Sequence, residues 1–302
     1  MAGISQNVGA DAPRISPPPA ESGCLLPSFL VLGPPRTGTT WMHEVLSGEA
    51  QLPDPTKETH FFDQHFERGL GWYLDHFPAP IRGRMRGEVA PTYFASPAAQ
   101  ERIAQVLPDA KLVVIFRHPV ARIVSLYRVK RAYGMVDGSL EQAIESDPEL
   151  MESSRYATHL AQWLRAFPAQ QISIHLFEEL CSDPQAFIDR IVDFLGMSRF
   201  PLTSRQRQQV FSAAQLTEPR SYRVTRMATT MAEWCKARKL DGVVAGVRNS
   251  SLMKLLISGG APFQKVPAPV LGRIASEVRP EIDQLEVMLD QDLSHWKTTS
   301  PP

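Results

Sequence analysis

The sequence predicts an α/β fold in which helices flank a mainly parallel β-sheet and a helical part follows. Short apolar runs of strand length occur at Phe29–Leu32, at Lys111–Phe116 and at residues 171–177. Segments of helical periodicity separate these runs, so the connections between strands are crossovers and the strands are parallel. A glycine turn follows the first run, as expected where a strand of such a sheet leads into a helix.

The composition is that of a globular chain with one sizeable core. The chain has 302 residues, of which 43% are hydrophobic and 21% are charged. We expect a disordered leader at residues 1–24 and a single domain at 25–302, with an α/β core at 25–199 and a mainly helical cap at 200–302. Basic and acidic residues balance at 32 each, so no global positive charge indicates a nucleic-acid partner.

The cysteines and histidines exclude further classes of protein. Cys24, Cys181 and Cys235 lie far apart, which favours a reducing compartment without a disulfide framework. No metal site is predicted, because the eight histidines form neither HExxH nor a zinc spacing. Without a membrane-length apolar run or a secretion signal, we expect a cytoplasmic protein with no transmembrane segment. The sequence does not indicate the oligomeric state.

The remaining elements follow from capping residues and periodicity. Ser96 and Asp183 are predicted to cap helices that begin with proline, and Gly196 to end the second of these. Residues 87–94 are predicted to be a strand or an extended loop. Helices are predicted at residues 67–77, Pro97–Val106, from Pro119 onward, and at 140–144, 155–167, Pro184–Leu195, 270–278 and 280–289.

The glycine turn after the first strand predicts an anion site. It matches the phosphate loop GxxxxGK(S/T) of P-loop folds at Gly33, Gly38 and Thr40, but Thr39 stands in place of the lysine. Backbone N–H groups from Arg36 onward open the next helix, where they have no intrahelical partner. The cation has moved back to Arg36. A loop with fewer cations, and with no evident acidic Mg²⁺ ligand, suits a transferred group less charged than phosphoryl, such as sulfuryl.

A second anion site is predicted after the second strand. Arg117 follows that strand, and Ser125 lies within two turns of the start of the next helix. Both should meet the glycine turn at the carboxyl edge of the sheet, where open α/β folds bind ligands. The surrounding residues 110–136 contain six basic residues and no acidic one, which is typical of an anion site or of a solvated helix face.

A polar cluster at Lys57, Glu58 and His60 precedes two phenylalanines and predicts acid–base chemistry. In an extended segment Glu58 and His60 point the same way, so one can take a proton while the other orients it. Glu58 and His60 remain alternatives for the base at this point. Lys57 has no assigned role.

Together these motifs resemble the sulfotransferases that use 3′-phosphoadenosine 5′-phosphosulfate (PAPS), nearest to their heparan sulfate and bacterial branch. GPPRTGTTW resembles the 5′-phosphosulfate loop, FRHPVARIVSLYR the 3′-phosphate segment and KETHFFD the catalytic segment. The match covers roughly residues 27–197 and the closing DLSHW. The resemblance implies transfer of a sulfuryl group from PAPS, without a metal, to a hydroxyl of a small-molecule, lipid-like or saccharide acceptor.

The resemblance also implies roles for individual residues. Arg117 and Ser125 would bind the 3′-phosphate, Glu58 or His60 would be the base, and Arg36 would act on the reacting group as well as bind the donor. The residues that would bind the 5′-phosphosulfate are Arg36, Thr37, Gly38, Thr39 and Thr40, with Trp41 at its edge. Val89 departs from the lysine of related glycan sulfotransferases, and the apolar residues 243–263 favour a hydrophobic acceptor.

Two other functions fit parts of the pattern. A P-loop kinase that uses Mg·ATP would share the glycine turn, but it needs a lysine after Gly38, where the chain has Thr39. A non-catalytic nucleotide-binding module would share both anion sites, but it would not need Glu58 and His60.

Overall fold

The structure is a computed structural model that describes residues 26–209, 217–219, 221–237 and 261–298. The predicted leader at 1–24 lies outside the described residues, as do much of the predicted cap and most of the apolar stretch at 243–263. None of the helices in the described ranges is long and apolar enough to span a bilayer.

Four parallel strands form one sheet in the order β2–β1–β3–β4. They are β1 (Phe29–Leu32), β2 (Gly87–Val89), β3 (Lys111–Phe116) and β4 (Ile172–Leu176). Phe29 of β1 pairs with Gly87 on one side and Lys111 on the other. The parallel sheet and its three clear strands confirm the prediction. The remaining strand, β2, is short because after Val89 the chain turns at Pro91–Tyr93, where Pro91 has no N–H for a strand ladder.

Helices cover both faces of the sheet, as predicted. Alternate residues of β1 and β3 face opposite sides: Leu30 and Leu112 belong to one apolar cluster, whereas Val31 and Val113 belong to the other. The described helices are α1 (Thr39–Leu46), α2 (Gly69–Leu74), α3 (Pro97–Val106), α4 (Pro119–Ala132), α5 (Leu140–Ser146), α6 (Glu149–Glu152), α7 (Tyr156–Ala166), α8 (Phe177–Ser182), α9 (Pro184–Leu195), α10 (Ser204–Gln209), α11 (Tyr222–Ala237) and α12 (Ala268–Leu289). Helices α1 and α9 pack on the Val31 side, and α3, α4, α7 and α12 on the Leu30 side.

The predicted capping residues have the expected geometry. The Ser96 hydroxyl accepts a hydrogen bond from Ala99 N at the start of α3. The Asp183 carboxylate likewise accepts from two backbone N–H groups of α9, which ends at Gly196 with φ 84°. Both helices have the predicted bounds.

Two helix predictions are wrong. Residues 67–77 were expected to form one helix, but a π turn at Phe61–His65 and a 3₁₀ turn at Phe66–Arg68 precede α2, which is only Gly69–Leu74. Near the C-terminus, two helices were expected to meet at Pro280, whereas α12 continues through it. An internal proline costs about 3 kcal/mol. Burial of Val278 and Ile282 on either side of Pro280 holds the two halves of α12 against the core and offsets this cost.

Candidate active site

The glycine loop, residues 33–40, leaves the carboxyl end of β1 and leads into α1. Gly33 has φ 140°, and a Cβ there would lie 3.0 Å from the carbonyl oxygen of Ile115 on β3. Gly38 has φ 95° and would meet Leu180 at 3.0 Å. Both positions therefore require glycine for backbone conformation and for close packing. These packing requirements fix the path of the loop beneath the predicted anion site.

The side chains of the loop divide between the core and the surface. Thr37 is fully buried, and its hydroxyl donates to Pro34 O at 2.9 Å, so it stabilises the loop itself. Thr39 is also buried, whereas Thr40 is exposed at the start of α1. Trp41 is 6% exposed, packs against Phe187 and donates its indole N–H to Gln206 O. The predicted contact between Trp41 and the donor stays a prediction.

Arg36, Arg117 and Ser125 lie together, although 89 residues of sequence separate the first from the last. Arg36 Nε donates to Ser125 Oγ on α4 at 3.0 Å, and Arg117 Nη1 donates to Arg36 O at 3.1 Å. The Arg117 guanidinium is 4.6 Å from the ring centroid of Phe177. Because β1 and β3 are parallel neighbours, the residues that follow them meet at one edge of the sheet.

This cluster carries positive charge without a carboxylate partner. Among the described residues, neither Arg36 nor Arg117 forms an ion pair with Asp or Glu. Burial, and then the charge of Arg117, lower the pKa of Arg36. Burial likewise lowers the pKa of Arg117. Burial thus opposes the charge of both guanidinium groups, Arg117 also opposes that of Arg36, and an anion bound between them would relieve this cost.

A third arginine, which sequence reasoning did not single out, supports the loop from below. Arg122 on α4 is fully buried, and it donates to Ser154 Oγ at 2.7 Å, to Leu150 O at 2.6 Å and to Pro35 O at 3.4 Å. Its only sequence signal was membership of the acid-free basic segment. A buried guanidinium bonded to hydroxyl and carbonyl groups holds the loop and adds a fixed positive charge beneath it.

Glu58, His60 and Asp63 form the acid–base part of the site. His60 Nδ1 is 3.4 Å from Asp63 Oδ2, and His60 Nε2 is 3.9 Å from Glu58 Oε2. Burial opposes the charged form of His60, but the Asp63 hydrogen bond and the nearby carboxylates outweigh it and raise the His60 pKa. Sequence reasoning missed Asp63. It lies three residues after His60, inside the π turn at Phe61–His65, and His60 lies at the start of that turn.

A buried carboxylate on β2 anchors this segment. Glu88 is fully buried and accepts hydrogen bonds from Thr59 N at 2.8 Å, Thr59 Oγ1 at 2.7 Å and Tyr73 Oη at 2.9 Å. Burial raises the Glu88 pKa, against the effect of these donors. Thr59 stands between Glu58 and His60, so the network fixes the two candidate bases relative to the sheet. Sequence reasoning matched the glutamate before Val89 to a segment of related sulfotransferases but gave Glu88 no role.

Backbone strain marks the loop and the acid–base segment. Within the described ranges, three non-glycine residues have positive φ: Arg36 at 79°, His60 at 52° and Asp290 at 50°. Such conformations cost about 1 kcal/mol or more and often occur at functional sites. Arg36 and His60 were both predicted site residues. Asp290 has a structural reason, since it follows the last residue of α12.

Lys57 joins the two halves of the site. Its Nζ lies 3.2 Å from Thr40 Oγ1 at the start of α1 and 3.2 Å from Glu58 Oε1. Lys57, Glu58 and His60 are partly exposed, with side-chain exposures of 30%, 22% and 32%. The site therefore presents cations and N–H groups beside an accessible carboxylate, which suits transfer of an anionic group to a nucleophile. No group of three or more potential metal-ligating side chains occurs in the described part of the chain.

Comparisons with known proteins agree with this geometry. A family model described as sulfotransferase domain matches residues 26–243. Heparan sulfate glucosamine 3-O-sulfotransferase 3B1 of Mus musculus is 32% identical over 213 residues, covering 66% of this chain and 54% of that protein. Bifunctional heparan sulfate N-deacetylase/N-sulfotransferase 2 of Bos taurus is 33% identical over 198 residues, covering 58% of this chain and 22% of that protein. The chain thus spans about half the length of the first of these relatives, and less of the second.

A solved structure supports the fold. The crystal structure of a sulfotransferase from Alicyclobacillus acidocaldarius superimposes with a TM-score of 0.64 at 20% sequence identity. The superposition covers 90% of this chain and 99% of that one. At this level of identity the likeness concerns the fold, and it agrees with the sheet and helices described above.

Proposed function

The chain belongs to the sulfotransferase family, and from this premise we propose that it transfers the sulfuryl group of PAPS to an acceptor hydroxyl. The products are a sulfate ester and 3′-phosphoadenosine 5′-phosphate (PAP). Family membership does not favour the kinase alternative. PAPS supplies an activated sulfuryl group on a phosphate leaving group. The residues of this chain bind PAPS, orient the acceptor and accept the proton of its hydroxyl.

The convergence of Arg36, Arg117 and Ser125 carries the proposal. PAPS is anionic at both ends, and the hydrogen-bond donors of this site are guanidinium N–H, hydroxyl and backbone N–H groups. We assign Arg117 and Ser125 to the 3′-phosphate. The 5′-phosphosulfate is assigned to the backbone N–H groups of residues 36–40 and the Thr40 hydroxyl at the start of α1, where the helix dipole is positive. Arg36 is assigned to the phosphates of the donor as well, because its Nε donates to Ser125 Oγ at 3.0 Å.

Glu58 is our candidate for the base. Against the effect of burial, Asp63, which faces Nδ1 of His60, raises the pKa of this imidazole, so its protonated form is favoured more than in a free histidine and it is the poorer base. Glu58 is accessible and lies 3.9 Å from His60 Nε2. His60 then orients the carboxylate, and Asp63 with Thr92 holds the imidazole. This assignment separates the two roles that the sequence left open.

The acceptor is proposed as a class only. Small-molecule, lipid-like and saccharide hydroxyls all satisfy the chemistry of the site, since each needs one base and a bound donor. The domain organisation is likewise a proposal: one domain at 25–302, with an α/β core at 25–199 followed by a mainly helical cap. In the described part of that cap, α10, α11 and α12 are helical.

The test is stabilisation by PAP in the absence of Mg²⁺. A ligand at a hundred times its dissociation constant stabilises the folded state by about 2.7 kcal/mol, which thermal unfolding detects readily. We expect PAP to raise the melting temperature in EDTA, and adenosine 5′-phosphate to do so more weakly because it lacks the 3′-phosphate. Stabilisation only by Mg·ATP would contradict the proposal.

A further inference from the structure

We propose that Lys57 is a catalytic cation that binds the transferring sulfuryl group, in place of the lysine that the glycine loop lacks. The inference rests on the proposed function and adds to it a residue that lies outside the loop. The inference follows from the contacts of two cationic side chains of the site, Arg36 in the glycine loop and Lys57 beside the start of α1.

Arg36 is directed toward the phosphate end of the site. Its Nε donates to Ser125 Oγ on α4 at 3.0 Å, and its backbone carbonyl is held by Arg117. The charge that the loop carries is thus committed to the region after β3. Thr39, at the position of the usual loop lysine, is uncharged and buried. The loop itself therefore places no ammonium group over the first turn of α1.

Lys57 occupies that place from a different segment. Its Nζ lies 3.2 Å from the hydroxyl of Thr40, the second residue of α1. The other contact is with Glu58 Oε1, also at 3.2 Å. The contact with Thr40 is a hydrogen bond and the contact with Glu58 is an ion pair, and the described residues provide no third partner for the ammonium group. The ammonium group therefore has one donor to spare beside the helix N-terminus.

The neighbours of Lys57 support a site for an anion. Burial, and then the charge of Lys57, lower the pKa of His43 to about 4, so this imidazole is neutral near neutral pH. Lys57 thus stands between the helix N-terminus, where an anion is favoured, and the proposed base Glu58. A sulfuryl group that passes from the loop to an acceptor held at Glu58 crosses this position.

The chemistry requires no change in Lys57 itself. The acceptor oxygen forms a bond to sulfur while the bond from sulfur to the bridging phosphate oxygen breaks, and its electron pair stays on that oxygen as PAP leaves. The hydroxyl proton passes to Glu58. Lys57 keeps its protons and donates a hydrogen bond to a non-bridging sulfuryl oxygen throughout. A compact ammonium on a flexible stem can follow an oxygen that moves during transfer.

The experiment compares Lys57→Ala and Lys57→Arg with Lys265→Ala, an exposed lysine outside the site. Calorimetric titration with PAPS and with PAP separates the sulfuryl contact from the phosphate contacts. In Lys57→Ala, PAPS should bind about tenfold more weakly, because a charged hydrogen bond is lost, while PAP binding changes less than about twofold. Release of sulfate from radiolabelled PAPS, with water as acceptor, should slow about a hundredfold. Lys57→Arg should recover part of both losses, and Lys265→Ala should match the wild type.

Each other result overturns the inference. If Lys57→Ala binds PAPS and releases sulfate like the wild type, Lys57 is only a surface partner of Glu58. If it loses PAP and PAPS equally, Lys57 acts on the whole site rather than on the sulfuryl group. A Glu58→Gln variant with the same selective loss of PAPS binding would assign the effect to the carboxylate. Failure of the wild type to bind PAP would instead refute the proposed function.

Discussion

Replacement of Arg117 with methionine tests the phosphate end of the proposed donor site. The guanidinium donates to Arg36 O at 3.1 Å and lies 4.6 Å from the ring centroid of Phe177. Loss of these contacts costs about 2 kcal/mol and about 1 kcal/mol, respectively. Removal of a charge that is unfavourable beside Arg36 offsets much of this cost. We therefore expect the free energy of unfolding to change by less than about 2 kcal/mol.

Ligand binding should change far more than stability. A charge-assisted contact between guanidinium and phosphate contributes about 3 kcal/mol, which corresponds to a loss of affinity of more than about a hundredfold. The assay is thermal unfolding with PAP and with adenosine 5′-phosphate, which lacks the 3′-phosphate. The wild type should be stabilised more by PAP, whereas Arg117→Met should respond to the two nucleotides almost equally.

The control is Arg199→Met, since Arg199 forms an exposed ion pair with Asp193 beyond the end of α9. This variant should keep the wild-type preference for PAP. An Arg117→Met protein that folds and still prefers PAP over adenosine 5′-phosphate would refute the assignment of Arg117 to the 3′-phosphate.

Three further predictions test the base, its anchor and a buried histidine. Glu58→Gln should lower the turnover of PAPS at least about a hundredfold and leave stabilisation by PAP intact; wild-type turnover would exclude Glu58 as the base. Tyr73→Phe removes the 2.9 Å hydrogen bond to Glu88 and should lower the free energy of unfolding in urea by about 2 kcal/mol; an unchanged midpoint would contradict this contribution. Burial lowers the pKa of His175 to about 4. As the pH drops, His175 is therefore protonated in the unfolded chain before it is protonated in the folded protein, and the free energy of unfolding falls between pH of about 6.5 and about 4. His175→Gln should remove a part of that fall on the order of 3 kcal/mol, and an equally steep fall in the variant would show that other groups cause it.

Local patterns were sufficient to predict most of the sheet and several helices. The runs at β1 and β3 are short and apolar on both faces, as expected of buried parallel strands. Ser96 and Asp183 fixed the starts of α3 and α9, because a cap bonds to residues two or three positions away. The carboxyl-edge rule for parallel sheets was enough to expect Arg117 and Ser125 beside the glycine loop.

The unpredicted features depend on contacts between distant residues. Arg122 and Pro35 are 87 residues apart, and Thr59 and Glu88 are 29 apart, so no local pattern links them. Pro280 was expected to end a helix because its own propensity opposes continuation, but packing on both sides outweighs it. Likewise, the contact of Lys57 with Thr40 arises from the path of a loop without regular structure.

The position of Arg36, Arg117 and Ser125 at one end of the site bears on how fast the protein can work. These contacts would hold phosphate, which PAPS and its desulfated product PAP share, so PAP would keep most of the binding free energy of PAPS. Of the side chains assigned here, Lys57 beside α1 would contact the sulfuryl group that PAPS has and PAP lacks. We therefore expect PAP to compete with PAPS for the site, so that turnover slows as PAP accumulates.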